Sequence, residues 1–129
     1  MEGYNAKVVN SWKALTVKEK ISYKETDSFT KLDEVVSPDS SLVLTLGNYI
    51  TIHVENPKSE NPEYNVYVIV ADNGDCYVTS SDTFNSSINS ILEEINSVGE
   101  DEVGDWELKI YKRESNNFKG KHFLTCSIQ

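Results

Sequence analysis

Two hydrophobic periods divide the chain. Up to about residue 36, apolar positions recur at three- and four-residue intervals. In "SFTKLDEVV" they are Phe29, Leu32, Val35 and Val36, the spacing of one helix face. In "TVKEK", Thr16 stands three positions before Glu19, a capping-box pattern that predicts a helix start near Val17. "SPDSS" then breaks the pattern. Residues 1–40 are therefore expected to form a helical N-terminal extension.

From Ser41 the period becomes two. Leu42, Leu44 and Leu46 share one face of "SLVLTL". Beyond Gly47, Ile50, Ile52 and Val54 share one face, and Tyr49, Thr51 and His53 the other. This predicts one long strand bent at Gly47, since a glycine inside a strand marks a bulge or sharp coil. "NPKSENPE" is a loop. In "YNVYVIVADNGDCYVTSS" two β-rich runs flank Asn73 and Gly74, which predicts a hairpin with a type I′ turn. "DTFNSSINSILEEINSV" returns to helical spacing through Phe84, Ile88, Ile91, Leu92 and Ile95, with Asp82 or Thr83 as N-cap and Gly99 as its end. "EDEVGD" is an exposed acidic loop. The final segment is a second hairpin, with Trp106, Leu108, Ile110, Leu124, Cys126 and Ile128 on its inward face.

The order after residue 40 is strand, strand, strand, helix, strand, strand, with a long first strand that bends. That is the order of the OB-fold, a five-stranded Greek-key barrel. The expected class is mainly β (α+β): an OB-like barrel over residues 41–129, its helix between strands three and four, preceded by the helical extension in one compact domain.

Charge sharpens this picture. The net charge over 129 residues is -9. Residues 82–108 hold eight acids and neither Lys nor Arg, whereas residues 109–129 hold five cations against Glu114 alone. On the closing hairpin, the positions off the apolar face are Lys109, Tyr111, Arg113 and Phe123, with Lys119 and Lys121 at the tip. On the bent strand they include Tyr49 and His53, and on the middle hairpin Tyr67 and Tyr77. Aromatics alternating with cations on one curved face suit single-stranded nucleic acid: the rings stack on bases and the cations follow phosphates. These ten residues are the expected nucleic-acid contacts.

The same stretch carries a family resemblance. "YVTSSDTFNSSINSILEEI" and, after an acidic gap, "WELKIYKRESNNFKGKHFLTCSIQ" resemble the C-terminal half of small single-stranded-DNA-binding proteins of bacteriophages. The matching positions are Tyr111, Lys112, Ser115, Asn117, Phe118, Lys119, Gly120, Lys121, Phe123, Thr125 and Cys126, within residues 64–129. The resemblance implies sequence-nonspecific binding of single-stranded DNA in phage replication or recombination. Many such proteins end in an acidic tail that recruits replication partners. This chain stops within its predicted last strand, so that role is not carried over.

Other chemistry finds little support. Cys76 and Cys126 belong to no CxxC or Cys/His cluster, and two buried free thiols are expected. His53 and His122 lie far apart without a motif, and "DNGD" lacks the further ligands of a calcium loop. No phosphate loop or nucleophile motif is visible. No enzyme activity, cofactor or metal is expected. Neither a membrane-length apolar run nor the apolar core of a signal peptide occurs, so the expected compartment is the (host) cytoplasm. The competing class is an acidic phage protein that mimics DNA and blocks a host nuclease, a repair enzyme or an anti-phage defence complex, as an anti-CRISPR does. Residues 82–108 would supply its charge. Other partners left open are host or phage replication proteins and a second copy of the chain.

Overall fold

The protein is described here by a computed structural model covering residues 5–57, 62–99, 104–115 and 120–129. It is mainly β, with helices, and its strands form two sheets. The chain divides into two units. Residues 1–31 and 47–80 form one, and residues 32–46 and 81–129 the other.

The first unit holds β1 (Asn5–Ser11), α1 (Val17–Tyr23), β2 (Thr30–Lys31), β5 (Glu63–Ala71), β6 (Cys76–Thr79) and nearly all of β4 (Leu46–Glu55). Its five-stranded sheet has the order β1-β4-β5-β6-β2, with β2 parallel to β6. Ile50, Ile52, Val54, Val66, Val68, Val70 and Val78 form its buried cluster, and Leu15, Tyr23 and Phe29 pack against it. The alternation read in β4 holds, since Ile50, Ile52 and Val54 are buried while Thr51 and His53 are partly exposed.

The N-terminus departs from the helical expectation. Residues 5–11 are a strand, antiparallel to β4, with a bulge at Val9. Ala6 and Val8 pack against the core, while Val9 turns outward. A β-branched pair in a period-two stretch needs only a free sheet edge to become a strand, and β4 offers one. Asn48 fastens this segment. It is buried, its Oδ1 accepts from the Lys13 N–H at 2.9 Å, and its Nδ2 donates to the Lys13 carbonyl. The capping box at Thr16 and Glu19 forms as expected.

The second unit holds α2 (Leu32–Val35), β3 (Leu42–Leu44), α3 (Asp82–Val98), β7 (Leu108–Glu114) and β8 (His122–Ile128). Its sheet has the order β3-β7-β8. The helix expected over "SFTKLDEVV" shrinks to α2, in which Leu32 is buried, as is Val36 just beyond, while Val35 is exposed. In α3, Phe84, Ile88, Leu92 and Ile95 are buried, and Gly99 follows as C-cap. The N-cap is Ser81, one residue before Asp82 and two before Thr83, the expected choices, with its hydroxyl accepting from the Phe84 N–H.

The long bent strand exists as two pieces, β3 and β4, in different sheets with Thr45 between them. Gly47 lies just past the break. A Cβ there would meet the Ala71 and Val70 carbonyl oxygens at 3.2 Å, so glycine lets β4 approach β5 closely. The two sheets do not make a closed barrel. Closure would need the outer edge of β6, and β2 occupies that edge through Thr30 and Lys31. The turn at Asn73 also differs from type I′, which needs positive φ at two successive residues. Only Gly74 has it, at φ 97, and the Gly74 N–H donates to the Ala71 carbonyl. This is a type I turn closed by a glycine bulge. No helix among the described residues is long and apolar enough to cross a membrane.

Candidate nucleic-acid interface

The antiparallel register of β7 and β8 decides which side chains share a face, because directly opposed residues point the same way. Ile110 opposes Cys126, and Lys112 opposes Leu124. Leu108, Ile110, Leu124 and Cys126 are all buried. Of the six residues expected inside, Trp106 is half-buried and Ile128 is 43% exposed. The inward face is therefore shorter than its alternation, because the hairpin's open end lies at the surface.

On the other face, Lys109 opposes Ser127, Tyr111 opposes Thr125, and Arg113 opposes Phe123. Val43 of β3 lies beside Lys109 and is exposed. Lys109, Tyr111 and Phe123 are half-buried, and Arg113 is exposed. The Lys109 ammonium sits 5.5 Å from the centre of the Tyr111 ring. Thr125 is not free on this face: it is buried, and its hydroxyl shares a 2.8 Å hydrogen bond with Ser87 of α3. Lys112 points away and pairs with Asp33 at 3.2 Å. Lys121 is exposed near the turn, where the Gly120 N–H donates to Glu114. Lys119 lies outside the described residues.

The other expected contacts belong to the first unit and are differently placed. Tyr49 and Tyr67 are 3% and 2% exposed, with their rings stacked at 6.2 Å. Neither offers a face to a base. Tyr77 is half-buried and lines an open cleft of about 460 Å³ with Phe29, Thr30 and Cys76. His53 has carboxylate neighbours, Glu63 at 3.7 Å and Glu55 at 3.9 Å. Its hydrogen bond to the Asn65 Oδ1, and then these carboxylates, raise its pKa against an opposing desolvation effect. Two carboxylates beside it are the wrong surroundings for a phosphate.

Neither cysteine is in a disulfide. Of the two thiols expected to be buried, only Cys126 is, and burial pushes it up to about 12; Cys76 is half-buried, beside the turn at Gly74. The site thus narrows to the outer face of the second unit's sheet. The sequence pattern did not separate its rings from the buried Tyr49 and Tyr67, because period two marks sides of a strand and not which sides are covered. No family model, curated protein or solved structure matches this chain.

Proposed function

We propose that the protein binds single-stranded DNA without strong sequence preference, as phage replication or recombination proteins of the OB type do. The observation that carries this reading is the β7–β8 register, which aligns Lys109, Tyr111, Arg113 and Phe123 on one partly exposed face. The division of the bent strand between β3 and β4, and the position of α3 in the chain order between the β5–β6 and β7–β8 hairpins, support reading the fold as an opened OB topology.

Binding would proceed by exchange. In the free protein Lys109 covers the Tyr111 ring, a contact worth about 0.5–1 kcal/mol at an exposed site. A base stacked on an aromatic ring contributes about 1–3 kcal/mol. Stacking therefore outweighs the lost contact, and the displaced ammonium is freed to meet a phosphate. Arg113, next to Phe123, pairs a second cation with a second ring. Lys121 extends the track, and Lys119, two positions before it in sequence, would add a further cation.

Fluorescence anisotropy with labelled oligo-dT tests this directly. Binding that weakens as salt rises is the expected result. An acidic mimic would ignore the oligonucleotide. The described carboxylates of α3 give the mimic thin support, since Asp82 is separated from the pair Glu93 and Glu94 by about three helical turns.

A further inference from the structure

The first unit carries a separate constellation. His53 and Glu55 are two residues apart on β4 and share a face, and Glu63 joins them from the start of β5. The three ligand atoms lie within 4.8 Å of one another. Two of the separations, 3.7 and 3.9 Å, are only slightly wider than the roughly 3.3 Å between two ligands of a tetrahedral ion at its usual bond lengths.

The imidazole is held in a particular orientation. Asn65 Oδ1 is 2.9 Å from Nδ1, so it accepts the Nδ1 proton. In the neutral ring the lone pair is then on Nε2, and Nε2 faces both carboxylates. Three acceptors directed at one point repel unless a cation stands between them. An outer amide that fixes the ring through its second nitrogen is the usual support for a metal-ligating histidine.

We propose that His53, Glu55 and Glu63 form a divalent-metal site, with Asn65 as its positioning residue and Zn²⁺ as the best-suited ion. One imidazole and two carboxylates match zinc better than calcium, which takes six to eight oxygens. Because all three side chains are partly or fully exposed, water completes the coordination shell. A proton competes for Nε2. Lys7, opposite His53 in the β1–β4 ladder, brings the competing positive charge on this face. The site is independent of the DNA-binding reading.

Zn²⁺ alone, titrated into the full chain at neutral pH and followed by NMR of the two histidine rings, provides the test. The His53 signals should shift to saturation at one equivalent, while those of His122, on β8 of the other unit, stay in place. In competition with a chromophoric chelator, His53→Gln and Glu63→Gln should each weaken binding by at least about tenfold, and Asn65→Ala by about tenfold. All three changes are at the surface, and an unchanged Tm without metal confirms that the variant is folded. Equal shifts of both histidines, or a Glu63→Gln protein that binds like the parent, would overturn the site.

Discussion

Two strand faces in this protein carry the same kind of sequence and come to opposite ends. On β4 and β5 the alternation sets Tyr49 and Tyr67 on a common side, and both rings are buried against each other. On β7 and β8 it sets Tyr111 and Phe123 on a common side, and both stay partly exposed beside cations. The polar ends differ as well. The first face ends in His53 among carboxylates, the second in Arg113. Alternation says that a strand has two sides. Whether the second side is core or surface depends on what packs over it. In β5, every residue from Val66 to Ala71 is buried. In β7, burial falls away toward Arg113.

The largest effects should therefore come from the buried rings. Tyr67→Ala is expected to cost about 3–5 kcal/mol in urea unfolding, the range for emptying a large aromatic site. A loss below about 1 kcal/mol would mean that the ring is not core. Within the second unit, Ile110→Ala should cost about 2–5 kcal/mol. Val43→Ala, on the opposite face, should stay within about 0.5 kcal/mol of the parent. If the two costs were reversed, the register of β7 would be inverted.

The exposed ring should behave differently. Tyr111→Ala should lower affinity for oligo-dT by about 1–3 kcal/mol, leave the salt dependence nearly intact, and change stability far less than Tyr67→Ala. The smallest effect concerns Cys126. Its thiol is raised from 9.0 to about 12 by burial. A raised pKa means that the folded state holds the proton more tightly, so its contribution is complete below pH 9 and fades as pH rises toward 12. By pH 10 the loss should be about 1 kcal/mol, measured as a fall in urea midpoint that Cys126→Ala removes.

Much of the fold was legible because local signals matched tertiary ones. The capping box at Thr16 and the α3 stripe from Phe84 to Ile95 rest on contacts three or four residues apart, and the β7–β8 hairpin on pairing between consecutive strands. What failed depended on distant partners. Residues 5–11 become a strand only because β4 has an edge to fill. The expected closed barrel is replaced by two sheets, and β2 pairs along the edge of β6, which no pattern in "FTKLD" foretells. The buried Tyr49 and Tyr67 and the His53 cluster were hidden for the same reason, since Glu63 and Asn65 reach His53 only through the pairing of β5 with β4.

The central claim is that the outer face of the second unit's sheet binds single-stranded DNA through cations and rings that act separately. The most direct test is oligo-dT affinity as a function of salt for the parent chain and for the double variant Lys109→Ala plus Arg113→Ala. Protein should reach tens of micromolar at about 50 mM salt, because the net charge of -9 opposes association at long range. Each phosphate contact on a single strand contributes about 0.7 to the slope of log affinity against log salt, so the double variant should bind more weakly with a slope about 1.4 units flatter. A parent chain that does not bind, or a double variant with an unchanged slope, would contradict the account.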